Sequence, residues 1–370
     1  MSKRLRIGVV GCGSWGPNLV RNFRSLPDCQ LKMICDISPE RLQQLTSLYP
    51  EVQGELDYDR MLNGVNLDAV VVATPVKLHY PMARAALLAG KHVFVEKPMA
   101  SSSQQCAELV AIARHKRLVL MVGHAFLYSP AVRKIKEIVD RGDLGEIRHV
   151  SARRLNPGVV QKDINVAWDL ASHDIFIILY LLGQFPISVN CRGGAHLTPE
   201  IEDVTSMSLT FQQERSAIIH SSWLDPRTVR ELTIVGSKRM ILYDDVAPQQ
   251  KIRFFDAGPE RPAHDNAFAR FHPPYFYEDS YSPYITQGQP LRTQCRHFLD
   301  CIQNGKEPLT NGSRGMDLVK ILEASSASLK LGGGPVVLRR AEGARLSVNR
   351  LGRGLRRANR SPLPRRQIRP

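Results

Sequence analysis

The chain has 370 residues, of which 43% are hydrophobic and 23% charged, a balance typical of a globular enzyme. No apolar run approaches the ~18 residues of a transmembrane helix, and no signal-peptide pattern is present, so we expect a cytoplasmic protein with no membrane segment. The seven cysteines form no C-x-x-C pair and are odd in number, which argues against a zinc site or a disulfide framework. We therefore predict no bound metal.

The formal net charge of +15 is concentrated at one end of the chain. Residues 339–370 contain eleven arginines and one glutamate, with few apolar side chains to bury. Such a segment does not offset the entropy of ordering, so we predict a basic disordered tail. The tail alone motivates the hypothesis of a nucleic-acid-associated protein, which the modest charge of the remaining residues does not favour.

The first strong motif is a glycine pattern that follows an apolar run at residues 6–10. The pattern G-x-G-x-x-G after a strand is typical of dinucleotide binding, because it permits a tight turn, close approach of the pyrophosphate and close packing of the helix. The cofactor-binding residues predicted here are Gly11, Gly13, Ser14, Trp15 and Gly16. Asp36 closes the second apolar run, where a carboxylate accepts hydrogen bonds from ribose hydroxyls and repels a 2′-phosphate. We therefore predict NAD as the cofactor in preference to NADP.

Residues 1–123 alternate short apolar runs with helical segments, which indicates a parallel sheet of the Rossmann type. Further strands are predicted at residues 67–73, 92–95 and 118–122. The strand ends carry Thr74-Pro75 and Glu96-Lys97-Pro98. Ligands bind outside the carboxyl ends of such strands, so these segments converge on one edge with the glycine turn. Lys97 is a catalytic candidate there; the alternative is a solvated surface lysine.

The pattern changes from about residue 124, and a second domain is predicted over 124–338. Helices are predicted near its start and end, with half-buried strands and one hairpin between them. The predicted helices are 130–141, 168–182, 292–303 and 315–331, and the predicted strands are 205–211, 232–235 and 240–243.

Asp169 and His173 form a second chemical pair. They are four residues apart on a predicted helix, and therefore share one face. A carboxylate at that spacing orients an imidazole and favours its protonated form. The alternative is a helix-start aspartate beside a structural histidine. His79 and His124 are weaker candidates to line the same cleft.

Taken in order, the glycine motif, Asp36, the Thr74-Pro75 segment with His79, Glu96-Lys97-Pro98 and Asp169-x-x-x-His173 resemble the Gfo/Idh/MocA oxidoreductase family. The resemblance implies a Rossmann domain followed by an α/β domain with a large open, mostly antiparallel sheet that commonly forms the oligomer interface. It implies hydride transfer between NAD or NADP and a carbinol carbon of a sugar or cyclitol. It also implies Lys97, Asp169 and His173 as catalytic residues, and Thr74, Pro75, His79, Glu96 and Lys97 as cofactor-binding residues.

Segments near residues 123–130 and 165–170 are similar to the family branch around UDP-N-acetyl-2-amino-2-deoxyglucuronate dehydrogenases. This similarity implies a nucleotide-linked amino or uronic sugar as substrate, oxidised or reduced at C3. Tyr128 and Trp168 are predicted as an aromatic wall for a pyranose ring, and arginines as partners for a carboxylate or diphosphate. The alternative for Tyr128 and Trp168 is that both rings belong to the core. The substrate-binding residues predicted here are His124, Tyr128, Arg153, Arg154, Asn165 and Trp168.

The expected mechanism uses Lys97 and His173 as hydrogen-bond donor and acid/base, with Asp169 positioning His173. Which of Lys97 and His173 is the formal base stays open from sequence. A homo-oligomer, dimer or tetramer, is expected. The alternative functions are an inositol or cyclitol dehydrogenase and a non-catalytic NAD-sensing regulator, which needs neither Lys97 nor His173.

Overall fold

The computed structural model describes residues 4–64, 66–158, 160–161, 163–256 and 282–338, which belong to one compact unit. The predicted basic tail lies outside the described residues. In the described part, the N-terminal region forms a six-stranded parallel sheet in the order β3-β2-β1-β4-β5-β6. Its strands are β1 (Leu5–Val10), β2 (Cys29–Cys35), β3 (Gln53–Glu55), β4 (Ala69–Val72), β5 (His92–Glu96) and β6 (Leu120–Gly123).

Helices connect these strands as in a doubly wound fold, so the predicted Rossmann architecture is confirmed. The central strand β4 reads Ala-Val-Val-Val and is fully buried, as expected where helices cover both faces of a parallel sheet. Ser38 and Ser102 each cap the helix that follows by accepting a hydrogen bond from a backbone N–H. The helices are α1 (Gly16–Arg24), α2 (Pro39–Leu48), α3 (Tyr58–Gly64), α4 (Val76–Leu88) and α5 (Ser103–Lys116).

The second region contains an eight-stranded sheet among the described residues, in the order β13-β12-β11-β7-β10-β9-β8-β14. All neighbours are antiparallel except β7 and β10, which confirms the predicted open, mostly antiparallel sheet. Its strands are β7 (Ile147–Leu155), β8 (Ser188–Gly194), β9 (Val204–Thr210), β10 (Ser216–Ser222), β11 (Val229–Gly236), β12 (Arg239–Asp244), β13 (Ile252–Asp256) and β14 (Val336–Val337).

The helices of this region are α6 (Pro130–Asp140), α7 (Ser172–Leu182), α8 (Pro290–Asn304) and α9 (Gly312–Lys330). Each predicted helix is present, but the one expected at 168–182 is divided. Residues 167–171 form a π-helical turn, and α7 begins only at Ser172. This wider turn changes which side chains share a face, with consequences for the site described below.

Two helices from the C-terminal part of the chain return to the Rossmann sheet. Helix α8 packs on α1, and α9 packs on α5. The segment between them pairs with the edge strand β6, where Val122 N–H donates to the Thr310 carbonyl at 2.8 Å. The edge of the parallel sheet is therefore covered by residues about 190 positions further along the chain.

Three phenylalanines tie these layers together. Phe23 of α1, Phe94 of β5 and Phe298 of α8 meet edge-to-face, with ring centroids 5.7–6.2 Å apart. All three are fully buried. Edge-to-face geometry is favourable between aromatic rings, so the cluster fixes α8 against the sheet.

Within the described residues, no helix is both long enough and apolar enough to cross a bilayer.

We expect Phe298→Ala to lower the free energy of unfolding by about 3–5 kcal/mol, because it leaves a cavity beneath α8 and removes two aromatic contacts. Chemical denaturation followed by circular dichroism measures this change. Leu331→Ala is the matched control, since that side chain is 65% exposed and its truncation should change stability by less than about 0.5 kcal/mol. A loss below about 1 kcal/mol for Phe298→Ala would contradict the proposed packing role.

Candidate active site

The glycine turn after β1 has the geometry that the sequence predicted. Gly11 has φ +95°, and a Cβ there would lie 2.5 Å from the Ala73 carbonyl oxygen. A Cβ on Gly16 would lie 1.9 Å from the Gly11 carbonyl oxygen, so α1 packs directly on the turn. These two glycines are required by the fold itself.

Gly13 differs because its missing side chain leaves open space. A Cβ there would meet only the Arg41 guanidinium, at 3.9 Å. Beside it, α1 begins with no side-chain cap and no acidic residue in its first turn. Uncapped N–H groups at a helix N-terminus, next to an accessible backbone, fit a pyrophosphate. A dinucleotide therefore fits the residues present here.

Asp36 lies where a Rossmann fold is expected to place the carboxylate that binds the ribose. Its Oδ2 accepts from the Cys12 N–H at 2.6 Å, and its Oδ1 accepts from the Ser38 N–H at 2.9 Å. Each oxygen keeps a lone pair for a ribose hydroxyl. Arg41 Nη1 lies 3.7 Å from Oδ1 on a side chain that is 54% exposed, so a cation also borders this end of the site.

The next two strand ends complete the cofactor edge. Thr74 Oγ1 is buried with no hydrogen-bond partner in the described structure. His79 is 1% exposed, and its ring nitrogens each lie 2.7 Å from a backbone carbonyl, those of Pro98 and Thr74. His79 therefore joins the ends of β4 and β5, and burial lowers its pKa.

Glu96 is held by two donors at the end of β5. Trp15 Nε1 donates to its Oε1 at 2.9 Å, and the Lys97 N–H donates to its Oε2 at 3.3 Å. Burial raises the pKa of Glu96 to about 7, since desolvation disfavours the carboxylate more than these donors favour it. Trp15 thereby bridges the start of α1 and the end of β5.

Lys97 reaches from the Rossmann sheet to the second region. The Lys97–Pro98 peptide is cis. Its Nζ donates to the Asp169 backbone carbonyl at 2.9 Å and to Asp169 Oδ1 at 3.2 Å. Asp169 Oδ2 accepts from Trp223 Nε1 at 3.2 Å, so the carboxylate is held from both sides. Lys97 is thus fixed with its ammonium at the boundary of the two regions.

His173 lies against Phe126, with the ring centroids 4.8 Å apart. Its Nδ1 is buried without a hydrogen-bond partner in the described residues. Burial, followed by the charges of Lys97 and Arg154, holds the pKa of His173 well below its usual value of 6.5. The imidazole is therefore neutral at neutral pH and able to accept a proton.

The expected pairing of Asp169 with His173 is wrong. Asp169 binds Lys97 and Trp223 instead, and the expectation that it favours protonated His173 fails as well. The reason is the π-helical turn, in which the Ser172 N–H donates to the Ala167 carbonyl, five residues earlier. This i→i+5 turn removes the i,i+4 stacking that the sequence argument assumed.

A single cavity of about 1050 Å³ joins these groups among the described residues. It runs from the glycine turn, past Lys97 and His173, to strands β7 and β11 of the second sheet. All of the predicted cofactor-binding residues line it except Gly16, which lies beneath the turn. The lining includes Gly11, Gly13, Ser14, Trp15, Asp36, Thr74, Pro75, His79, Glu96 and Lys97.

The predicted aromatic wall is absent from this cavity, so that prediction is wrong. Tyr128 is 3% exposed, and its ring packs on Arg133 and on His297 of α8. Trp168 Nε1 donates to Ser326 Oγ at 2.9 Å, which anchors the π-helical turn to α9. Both rings serve packing, because large aromatic side chains contribute most when they are buried.

Three other predicted substrate residues also lie away from the cavity. His124 is 1% exposed and stacks on Phe176 with the centroids 3.7 Å apart; burial lowers its pKa to about 3. Asn165 donates to Glu202 Oε2 at 2.7 Å, and its Oδ1 accepts a hydrogen bond from the Trp168 N–H at 3.2 Å. Arg153 is 53% exposed and faces Glu231 at 3.4 Å, outside the cavity.

Arg154 is the predicted substrate residue that does line the cavity. Its Nε and Nη2 donate to the two oxygens of Asp174 at 2.8 and 2.7 Å, and both side chains are buried. Its guanidinium lies 4.6 Å from the centroid of Phe126. This pair therefore supports the ring that contacts His173.

Several residues of the site were not predicted from the sequence. Phe126 lies in the segment near 123–130 that resembles the family branch, but it was not named as a site residue. Arg230 carries no motif, and it comes to the cavity only because β11 pairs with β7. Arg41 had a usable signal, since it lies in the first turn of the helix that follows Asp36. Trp223 had none, because its contact with Asp169 joins residues 54 positions apart.

This geometry defines a dinucleotide-binding oxidoreductase site, and comparisons with known proteins agree. The model described as "Oxidoreductase family, NAD-binding Rossmann fold" matches residues 5–124, and the "GFO/IDH/MocA C-terminal domain" matches residues 132–242. The chain therefore belongs to the Gfo/Idh/MocA oxidoreductase family.

Three similar proteins illustrate the relationship. An uncharacterized oxidoreductase, YrbE of Bacillus subtilis, is 26% identical over 90% of this chain and 96% of its own. The UDP-N-acetylglucosamine 3-dehydrogenase of Acidithiobacillus ferrooxidans is 28% identical over 65% of this chain and 74% of its own. The WlbA dehydrogenase of Bordetella pertussis, solved with NADH and UDP-GlcNAcA, has the same fold, with a TM-score of 0.77, 23% identity and coverage of 91% and 99%.

The two kinds of glycine give a matched test. We expect Gly16→Ala to lower the melting temperature of the protein without cofactor, because its methyl group cannot fit against the Gly11 carbonyl. Gly13→Ala should leave that melting temperature within about 2 °C of wild type, but should abolish most of the stabilisation by NADH. Thermal unfolding with and without NADH measures both effects. Normal NADH stabilisation of Gly13→Ala would contradict the assignment of Gly13 to the pyrophosphate site.

Proposed function

We propose that this protein is an NAD-dependent dehydrogenase that transfers a hydride between nicotinamide and the C3 carbinol or keto carbon of a nucleotide-linked sugar. The observation that carries the proposal is that Lys97 and a neutral His173 line the same cavity as the dinucleotide-binding edge of the sheet. Lys97 is held in place there by Asp169. A non-catalytic sensor has no need of this arrangement. When bound, the nicotinamide supplies hydride acceptance or donation at the carbinol carbon.

The two polar groups divide the remaining work. In the oxidation direction His173 accepts the hydroxyl proton at an imidazole that its lowered pKa keeps unprotonated. Lys97 donates a hydrogen bond to the oxygen on which negative charge develops, and Asp169 holds the ammonium in place. We therefore assign His173 as the base and Lys97 as the electrostatic partner.

The comparisons support the substrate class. The relative from A. ferrooxidans is named for oxidation at C3 of UDP-N-acetylglucosamine, and the WlbA crystal contains UDP-GlcNAcA. The cavity continues from the dinucleotide edge to strands β7 and β11, where a sugar would lie. A free cyclitol is the alternative substrate.

We also propose that the open sheet mediates homo-oligomer formation. On one face the residues of neighbouring strands are buried, as at Ala152 and Ile234. On the other face Ser151, Ile218 and Thr233 lie side by side across three strands, and Ile218 is 46% exposed. This face combines small and apolar side chains with the exposed Arg153–Glu231 ion pair, and such a mixed face is suited to a self-complementary contact.

We expect wild type to change the absorbance of reduced nicotinamide with UDP- or dTDP-linked sugars or their 3-keto forms, and not with free inositol. Lys97→Met and His173→Ala should each lower turnover by about 100-fold or more, because each removes a group that acts on the reacting oxygen. His115→Ala and Lys116→Met, in the exposed last turn of α5, are the matched controls and should keep normal turnover. Good turnover of inositol with no response to any nucleotide sugar would refute the proposed substrate class.

The cofactor preference has its own test. We expect NADH to bind at least about tenfold more tightly than NADPH, because Asp36 contacts the ribose and repels a 2′-phosphate. Asp36→Ala should narrow this difference, since Arg41 stays beside the vacated position. Asp36→Ala should therefore bind NADPH more tightly than wild type does. The double variant Asp36→Ala/Arg41→Ala should show no such gain, because the cation beside the 2′-phosphate is also removed. Fluorescence titration of both reduced cofactors measures these values, and equal affinities in wild type would contradict the preference.

A further inference from the structure

The cationic side chains that line the cavity differ in how they are paired. Lys97 is hydrogen-bonded to Asp169, and Arg154 is bonded through two nitrogens to Asp174. Arg230, on β11, meets a carboxylate only at 3.7 Å, that of Asp245, and its side chain is 41% exposed. In the described part of the chain, Arg230 is therefore the cation at this end of the cavity whose donors are not used by a close carboxylate.

Asp245 does not neutralise Arg230 alone, because its charge is shared. Its Oδ1 accepts from the Tyr243 hydroxyl at 2.9 Å and lies 3.4 Å from Lys251 Nζ. The contact with Arg230 is made by the other oxygen and is longer than a hydrogen bond. Two cations thus share one carboxylate, so Asp245 does not fully neutralise Arg230.

The position of Arg230 relates this charge to the reacting centre. Its guanidinium lies 5.9 Å from the centroid of Phe126, and the Phe126 ring contacts His173. Arg230 and His173 therefore both lie beside the Phe126 ring and line the same cavity. This proximity lets one substrate molecule place an anionic group at Arg230 and a hydroxyl at His173.

We propose that Arg230 binds an anionic oxygen group of the substrate and so makes the enzyme select acidic sugar substrates over neutral ones. This inference rests on the proposed function and extends it to a specificity-determining residue. A guanidinium presents two parallel N–H donors that match a carboxylate or a phosphate, whichever the substrate carries. The same chemistry arises from a sugar carboxylate or from the diphosphate of a nucleotide sugar, and the experiment distinguishes these sources.

The test is a calorimetric titration of the full chain with four probes: UDP-glucuronate, UDP-glucose, D-glucuronate and D-glucose. Arg230→Met should weaken the binding of UDP-glucuronate by at least tenfold, since the fork that pairs with the anion is lost. Arg239→Met is the matched control, because that arginine lies on the neighbouring strand, is 51% exposed and pairs with Asp256 outside the cavity. It should bind all four probes as wild type does.

The pattern across probes identifies the anion. A loss with UDP-glucuronate and D-glucuronate but not UDP-glucose supports a carboxylate, whereas an equal loss with both UDP-sugars supports the diphosphate. Arg230→Lys keeps the charge without the planar fork, and an intermediate affinity is expected. If Arg230→Met does not fold, Arg230→Lys serves as the test variant in the same titration. Unchanged binding of both UDP-sugars by an Arg230 variant would overturn the inference, as would wild type binding none of the three acidic probes.

The same titration separates this inference from the proposed function. Binding of acidic sugars that depends on Arg230, without turnover of any sugar, would refute the dehydrogenase proposal and keep the anion site. Turnover of nucleotide sugars that is unchanged in Arg230→Met would support the dehydrogenase proposal and refute the anion site at Arg230.

Discussion

The contact between Lys97 and Asp169 is the interaction on which the site depends. Lys97 ends a strand of the parallel sheet, whereas Asp169 belongs to the π-helical turn of the second region. Their ion pair is partly buried, with the side chains 17% and 22% exposed, so it is shielded from much of the screening that weakens surface pairs. Because Trp223 holds the other carboxylate oxygen, the pair fixes the position of the turn as well as the lysine.

The π-helical turn also sets the surroundings of His173. Asp169 is bound to Lys97, and among the described residues His173 has no carboxylate partner; burial, followed by the nearby cations, holds its pKa well below the usual value. The imidazole is positioned by packing on Phe126, and Phe126 is in turn supported by the guanidinium of Arg154. Arg154 is locked on Asp174 in the interior, where removal of either partner would leave an uncompensated charge. An imidazole held by aromatic and ionic packing needs no orienting aspartate.

Charge is arranged similarly at the two ends of the cavity. At the dinucleotide end Arg41 lies 3.7 Å from Asp36, and at the opposite end Arg230 lies 3.7 Å from Asp245. In both pairs the arginine is partly exposed and no close hydrogen bond joins the two charges. Each end therefore offers a carboxylate and an available guanidinium to a ligand, which suits a site that receives two polar, anionic molecules.

The sequence by itself determined the features that depend on local backbone chemistry. The glycine turn, Asp36 and the strand ends at Thr74 and Lys97 were predictable, because parallel strands bring their carboxyl ends to one edge and glycine spacing dictates the turn. The parallel sheet followed from the alternation of apolar runs and helical segments, whereas the open, mostly antiparallel second sheet was implied by the family resemblance.

Only the tertiary structure decided which side chains line the cavity. Arg153 and Arg154 are neighbours on one strand and point to opposite faces, so a one-residue difference separates a surface ion pair from a cavity wall. Tyr128 and Trp168 were drawn into the packing by helices α8 and α9, which lie more than 150 residues further along the chain. Arg230 entered the cavity through strand pairing. Such choices depend on contacts between distant segments, and no local pattern encodes them.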